Sequence, residues 1–176
     1  MEIEVKLKYT NREAVVDWLK ANGFVFTKFK EIRDSYFGTG ADTMTNIQSL
    51  YRLREVFGEF KELTLKDGKR DNAGVWTRRE LNVSIDNPEN MKEILFSLGC
   101  KLIKENFSVR EIWNKDKTVF AFIGFSKPVE LHIAEIEGPN EADVQKLIDL
   151  LGDKVEVAGE EVFTIFDKIQ TQDENK

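Results

Sequence analysis

The chain has 176 residues, of which 41% are hydrophobic, and a formal net charge of −6 at pH 7. This charge argues against a nucleic-acid partner, because proteins that bind polyanions normally present a basic surface. The apolar runs are far shorter than the roughly 20 residues that span a bilayer, and the charged amino terminus is unlike a signal peptide, so we expect a soluble, cytoplasmic protein without a membrane partner.

The first eight residues predict an amphipathic strand. Successive side chains of a strand point to opposite faces, so Glu2, Glu4 and Lys6 share one face, while Ile3 and Val5 lie on the other. A half-exposed edge strand is the common explanation of such a pattern. Later segments repeat the pattern, however, and a half-exposed edge strand does not explain why several strands each carry a charged face.

Helix and strand signals alternate along the rest of the chain. Thr10 and Glu13 have the spacing of a capping box, and Asn87 and Asn140 each precede a helical pattern as caps. Strands are predicted within residues 24–37, 50–55, 61–66, 75–85, 101–113, 118–125, 129–137 and 155–157. An amphipathic segment, 160–169, completes an expected single domain of residues 1–169. The polar tail, residues 170–176, is expected to be disordered.

The two halves of the chain resemble each other. Asn11 aligns with Asn87 and Gly23 with Gly99, so that a strand, a capped helix ended by glycine, and a strand pair recur at similar spacing. Two such halves could pair their sheets into a closed barrel, which removes exposed strand edges and leaves an interior.

Charged side chains alternate with apolar ones in several strands, and we expect their charged faces to meet in one cavity. The residues in question are Glu2, Glu4, Lys6, Arg52, Arg54, Lys66, Arg78, Glu80, Arg110, Glu135 and Glu137. Burying this many ions would cost several kcal/mol for each unpaired charge. Function is therefore a better explanation of the pattern than stability.

The mixture of charges indicates a metal ion and a polyphosphate. Arginine forks bind phosphate oxygens bidentately, and lysine adds a point charge. Carboxylates in the same cavity would repel such a ligand unless a divalent cation lay between them. Mg²⁺ and Mn²⁺ prefer carboxylate, water and phosphate oxygens, so one cavity could hold all three components.

The segment Glu2-Ile3-Glu4-Val5-Lys6 matches the E-x-E-x-K signature of the CYTH superfamily, the triphosphate tunnel metalloenzymes. That superfamily includes class IV adenylyl cyclases, thiamine triphosphatases and inorganic triphosphatases. Further pieces follow in the family's order across residues 1–169: Asp34-x-Tyr36-Phe37, Arg52-x-Arg54, Leu63-Thr64-Leu65-Lys66, Arg78-x-Glu80, Arg110 and Glu135-x-Glu137. The ordered set is a strong resemblance, whereas E-x-E-x-K alone is weak.

The resemblance implies an α+β fold: a closed eight-stranded antiparallel β-barrel, or tunnel, with flanking helices and two pseudo-repeated halves. It implies that Mg²⁺ or Mn²⁺ is held by Glu2, Glu4, Glu135 and Glu137, with Glu80 as a further metal ligand or a charge partner. The implied triphosphate ligands are Lys6, Arg52, Arg54, Lys66, Arg78 and Arg110. Among these sets, Glu2, Glu4 and Lys6 are the implied catalytic residues.

The chain also departs from the family pattern. Asn82 stands where the family often has a second glutamate after Arg78, and Ser108 replaces a basic residue two positions before Arg110. The aspartate usual on the strand before the final glutamate pair is not evident in residues 119–125. Losing an acid weakens a second metal site, or a base, more than it weakens phosphate binding.

The resemblance is compatible with three functions, of which two are enzyme activities and one is ligand binding without turnover. The first is a class IV adenylyl cyclase, which converts ATP to cyclic AMP and pyrophosphate. The second is a triphosphatase acting on inorganic triphosphate or an organic one such as thiamine triphosphate. The third is a binding protein that holds polyphosphate or nucleotide without turnover. The expected partner is in each case a small triphosphate, and the chain is expected to be a monomer or a homodimer.

Cys100 and His132 are of residue types that often act in catalysis, but each has a simpler structural explanation. Cys100 lies among apolar neighbours and is expected to be a small buried side chain. His132 has the opposite strand parity to Glu135 and Glu137, so it is expected to face away from their site.

Overall fold

The computed structural model describes the backbone of residues 3–39, 49–70, 76–160 and 162–174, and the side chains of residues 3–39, 50–65, 80–160 and 162–171. The strands are β1 Ile3–Tyr9, β2 Val25–Thr39, β3 Ser49–Val56, β4 Phe60–Arg70, β5 Trp76–Ser84, β6 Cys100–Lys115, β7 Thr118–Lys127, β8 Leu131–Gly138 and β9 Val155–Val157. The helices are α1 Arg12–Ala21, α2 Pro88–Ser97, α3 Glu141–Leu151 and α4 Val162–Glu174.

The strands form one antiparallel sheet in the order β5-β4-β3-β2-β6-β7-β8-β1-β9. The α+β class is therefore confirmed, but the sheet has nine strands, whereas the family resemblance implies eight. β5 and β9 stand at the two ends of the order, and within the described ranges no pairing joins them. Strand β9 pairs with β1 at Leu7–Tyr9, which occupies part of the edge of β1 opposite β8. The closed barrel is thus not confirmed.

The chain divides into two compact units. The terminal unit consists of Met1–Lys30 and Ser108–Lys176, and the central unit of Glu31–Phe107. The expectation of one domain over residues 1–169 stays a prediction. Helix α4 continues to Glu174, into the segment for which composition predicts a disordered tail. No helix in the described part of the chain is both long enough and apolar enough to cross a membrane.

In the terminal unit, strand alternation separates an apolar sheet face from a charged one. Leu7 of β1 lies opposite Ala134 of β8, which lies opposite Phe122 of β7. These side chains pack with Val15 and Leu19 of α1 and with apolar residues of α3 into the main core. Because opposite residues in antiparallel strands share a face, the intervening positions of β1 and β8 lie on the other side of the sheet.

The two helices of this core begin with asparagine caps. Asn140 accepts the amide of Asp143 at 2.9 Å, as the sequence predicts for α3. At α1 the cap is Asn11, whose Oδ1 accepts the amide of Ala14 at 3.0 Å. The predicted capping box at Thr10 is therefore wrong by one residue, because the extended backbone at Asn11 already brings its short side chain onto the first turn.

Helix α4 covers one end of the charged face. Its Val162 and Phe166 pack with Ile123 of β7 and Ile133 of β8, a directly opposed pair. Ile133 has the same strand parity as Glu135, so β8 passes on one face from carboxylates to apolar side chains. The apolar end is buried by α4 and the carboxylate end is not part of that cluster.

The central unit has the same division of faces. Phe37 of β2 and Leu53 of β3 pack against Leu95 of α2 and Cys100, which is buried as expected. Helix α2 begins after the predicted cap, Asn87. On the opposite face the strands carry polar side chains at directly opposed positions, such as Asp34 and Arg54.

Within this unit, an ion network joins α2 to the sheet. Glu105 of β6 accepts from Arg33 Nε at 3.1 Å and from Ser35 Oγ at 2.7 Å. Lys92 Nζ of α2 lies 3.9 Å from the same carboxylate oxygen. Burial raises the pKa of Glu105, but the hydrogen bonds from Ser35 and Arg33 outweigh this and bring it below its ordinary value of 4.5.

The substitution Glu105→Gln should lower the free energy of unfolding by about 1–2 kcal/mol at neutral pH, since it weakens charge-assisted hydrogen bonds. A carboxylate whose folded pKa is depressed stabilises the protein above its unfolded pKa and loses this effect as pH falls through the folded pKa. Urea unfolding should therefore show a larger difference between wild type and variant at about pH 7 than at about pH 3.5.

The exposed Glu93 of α2 offers the matched control for this prediction. Glu93→Gln should change the free energy of unfolding by less than about 0.5 kcal/mol at either pH. An equal effect of Glu105→Gln at both pH values would contradict the assigned role of the Glu105 charge.

Candidate functional site

Three carboxylates meet on the charged face of the terminal unit. Glu4, Glu135 and Glu137 each offer an oxygen, and these oxygens lie within 4.8 Å of one another. The strand register explains the meeting, because Glu4 of β1 lies directly opposite Glu137 of β8, and Lys6 lies opposite Glu135. A group of hard oxygen donors is the ligand set that Mg²⁺ and Mn²⁺ prefer, so the residues present fit a divalent cation.

Two cations lie beside the carboxylates. Lys6 forms ion pairs with Glu4 and Glu135, and Arg110 Nη1 of β6 donates to Glu135 Oε1 at 3.0 Å. The side chain of Glu135 has no solvent exposure, while that of Glu4 is 52% exposed. Glu135 thus binds two cations in the interior, and the more exposed carboxylates face the solvent.

The protonation of Lys6 reflects this setting. Burial lowers the pKa of Lys6, and the neighbouring carboxylate of Glu4 offsets that effect only in part. The positive charge of Arg110 adds to the lowering. With three carboxylates and two cations, the five side chains carry a net negative formal charge, which favours binding of a further cation.

The polar face of the central unit presents two arginines. Arg54 donates from Nε to Asp34 Oδ1 and from Nη2 to Asp34 Oδ2, each at 2.7 Å. Burial lowers the pKa of Arg54, but the hydrogen bonds and charge of Asp34 more than reverse this and raise it. Arg52 Nη2 lies 3.3 Å from Glu62 Oε1 and 3.2 Å from Thr64 Oγ1.

Arg52 also carries a polar atom that lacks a partner. Its Nε is buried and makes no hydrogen bond among the residues that the structure describes. A buried donor without an acceptor is costly. An anionic ligand could supply the acceptor, which is compatible with the role that the sequence resemblance implies for Arg52.

The remaining predicted site residues are only partly described. Glu2 lies outside the described residues. Lys66 lies opposite Glu80 in the β4–β5 pair, and Arg78 lies opposite Gly68, but the side chains of Lys66 and Arg78 are outside the described set. Glu80 is described and exposed, in the central unit.

The structure also shows what stands at the positions that depart from the family pattern. Val119 and Ala121 of β7 lie directly opposite Glu137 and Glu135, so β7 presents alkyl groups beside the carboxylates. Ser108 is buried. His132 is exposed, with 60% of its side chain accessible, as its strand parity predicts.

Sequence reasoning missed the interaction partners within the central unit. Asp34 was part of the family resemblance, but nothing in the sequence assigned it to Arg54. Thr64 and Glu62 likewise lie beside Arg52 only because β3 and β4 pair in one register. Side-chain parity would have placed these groups on one face once that register was known.

Three comparisons show which known proteins this chain is similar to. The CYTH domain model matches residues 1–176. A protein of Methanocaldococcus jannaschii named "Putative adenylate cyclase" is 33% identical over 139 residues, which are 78% of this chain and 71% of that protein.

Solved structures share the fold at low sequence identity. A protein of Vibrio parahaemolyticus that is also named a putative adenylate cyclase is 17% identical, and the match covers 94% of this chain and 97% of that one with a TM-score of 0.72. A Hippeastrum protein described as having a dominant triphosphatase activity is 20% identical, with 96% of each chain covered and a TM-score of 0.70.

Proposed function

Because the chain belongs to the CYTH domain family, we propose that it is a divalent-metal-dependent enzyme that acts on a small triphosphate. The observation that carries this proposal is the group of Glu4, Glu135 and Glu137 with Lys6 and Arg110 beside it. Oxygens that suit a metal ion and cations that suit phosphate lie close together there, as a metal–triphosphate complex requires.

In this proposal Glu4 and Glu137 hold Mg²⁺ or Mn²⁺, together with Glu2, which the E-x-E-x-K motif assigns to the same role. When bound there, the ion would neutralise charge on the phosphate oxygens. Glu135 also offers an oxygen to the ion, but its contacts with Lys6 and Arg110 favour a second role. By binding both Lys6 and Arg110 it fixes two donors beside the metal position.

The cations are proposed to bind the triphosphate. Lys6 and Arg110 do so in the terminal unit, and Arg52, Arg54, Lys66 and Arg78 are proposed from the motif. Arginine and lysine N–H groups donate to phosphate oxygens, and the bonds strengthen as negative charge develops there during phosphoryl transfer. Glu80 is proposed as a metal ligand or a charge partner. Catalysis in such a site comes chiefly from positioning and electrostatic stabilisation.

We propose adenylyl cyclase as the first activity and triphosphatase as the second. The M. jannaschii relative, at 33% identity, supports the first by its name. The Hippeastrum structure supports the second by its described activity. A cyclase must also bring the ribose hydroxyl in line with the α-phosphorus, whereas a hydrolase needs only an activated water.

Product analysis separates these functions. The purified chain is incubated with ATP, inorganic triphosphate and thiamine triphosphate, each with Mg²⁺, with Mn²⁺ and with EDTA, and the products are identified by chromatography. Cyclic AMP with pyrophosphate establishes the cyclase, and orthophosphate establishes the triphosphatase. Tight triphosphate binding without product at any metal concentration would replace both with a non-catalytic binding protein.

A further inference from the structure

Asp34 and Arg54 form a bidentate ion pair on the polar face of the central unit. They lie directly opposite each other in the β2–β3 pair, and both hydrogen bonds are 2.7 Å long. The side chain of Asp34 is 4% exposed and that of Arg54 is 17% exposed. The Tyr36 hydroxyl lies 3.5 Å from Asp34 Oδ2, so the carboxylate is itself oriented.

Stability alone explains this pair poorly. Removing two ions from water costs about as much as their attraction returns, and an apolar pair of similar size often stabilises a protein as well or better. An apolar side chain at position 54 would suit strand β3, since strands favour β-branched and aromatic residues. A buried arginine whose guanidinium is held in one orientation is therefore better explained by ligand binding than by stability.

The pair also cancels the charge of Arg54. Asp34 and Glu62 together balance Arg54 and Arg52, so these four side chains have no net formal charge. Any affinity of this group for an anion must therefore come from the direction of the N–H groups. Asp34 accepts from Nε and Nη2 of Arg54, and Nη1 lies outside this fork. The planar guanidinium then has one edge fixed by Asp34, and among the described residues no side chain binds Nη1, which leaves this donor for a ligand.

We propose that Asp34 is a positioning residue that fixes the guanidinium of Arg54 for a triphosphate. The inference rests on the proposed function, because it takes Arg54 to be a phosphate ligand. Asp34 itself does not touch the phosphate, which it would repel. It acts through Arg54 by holding one edge of the guanidinium, so that the other edge is oriented before the ligand arrives.

The direction in which Asp34→Asn changes the affinity for triphosphate separates a positioning role from a simple effect of charge. Asp34→Asn removes a negative charge, so an electrostatic effect alone would tighten the binding of a triphosphate. Loss of orientation at Arg54 would instead weaken binding, by about tenfold, as is typical when the partner of a ligand-binding side chain is removed. The two accounts thus predict opposite changes.

Calorimetric titration of inorganic triphosphate measures this binding, in EDTA and, because the proposed site includes a divalent cation, also with Ca²⁺, which takes the same kind of oxygen ligands. Chromatography of the cell contents verifies that no product has formed. The control is Glu93→Gln, which removes the same charge from an exposed position of α2 in the same unit. We expect binding to weaken with Asp34→Asn and to stay equal or tighten slightly with Glu93→Gln. Asp34→Glu keeps the charge but shifts the carboxylate, and should also weaken binding. Urea unfolding verifies that each variant is folded.

Coupling to Arg54 completes the test. In an Arg54→Ala background, Asp34→Asn should no longer weaken binding, because the group that it positions is gone. Equal or tighter binding with Asp34→Asn or with Asp34→Glu, or an unchanged effect without Arg54, would overturn the inference and leave the proposed function intact. Failure of the wild-type chain to bind triphosphate at all would overturn both.

Discussion

The substitution Glu137→Gln should reduce turnover of the preferred triphosphate by about 10²–10³-fold, the usual cost of removing one electrostatic contact from a transition state. Glu137 lies opposite Glu4 and shares the acidic group with it. An amide in its place removes a formal negative charge from the proposed metal site. Initial rates at saturating Mg²⁺ and Mn²⁺ measure the effect, and a higher metal requirement should accompany it.

The control for this prediction is Glu130→Gln. Glu130 precedes the same strand, but its side chain is 84% exposed and lies beside His132, at the opposite strand parity to the site. Its loss should leave the rate within about twofold, since isolated surface charges contribute little. A full rate with Glu137→Gln at every metal concentration would contradict the role given to the acidic group.

The substitution Glu135→Gln should cost about 3–5 kcal/mol of the free energy of unfolding, because it removes the charge that balances two cations in the interior. Lys6 and Arg110 both bind Glu135, whose side chain has no solvent exposure. Its strand, β8, is paired on both sides, with β7 and with β1. Urea unfolding at neutral pH measures the loss.

Two comparisons make this prediction specific. Glu137→Gln, in the same strand but more exposed, should cost less than about 1 kcal/mol. Adding Lys6→Met to Glu135→Gln should recover part of the lost stability, since it removes one of the two cations that Glu135 binds. A cost below about 1 kcal/mol for Glu135→Gln would show that the interior charges are not coupled in this way.

Strand alternation in the sequence was enough to place charged residues on common faces. Glu4 and Lys6 share a face because they are two residues apart, and so do Glu135 and Glu137. The structure brings these four together because β1 and β8 pair with Glu4 opposite Glu137. Their roles as ligands stay proposals. The ends of α2 and α3 were also predictable, since an asparagine cap and a glycine act locally.

Features set by contacts between distant strands could not be predicted in this way. Alternation shows which face a side chain occupies but not which residue lies opposite, so the pairing of Asp34 with Arg54 was missed. Closure of the sheet depends in the same way on pairing between its outer strands. The packing of α4 against Ile123 and Ile133 likewise depends on tertiary contacts, because an amphipathic segment does not specify the surface that it covers.

The binding of Mn²⁺ tests most directly whether Glu4, Glu135 and Glu137 hold a divalent cation. Electron paramagnetic resonance of Mn²⁺ records how much of the ion is free as wild-type protein is added. The account predicts that wild-type protein removes the free-ion signal and that a Glu4→Gln, Glu137→Gln double variant does not. Equal loss of the signal with the double variant, or no loss with the wild type, would contradict it.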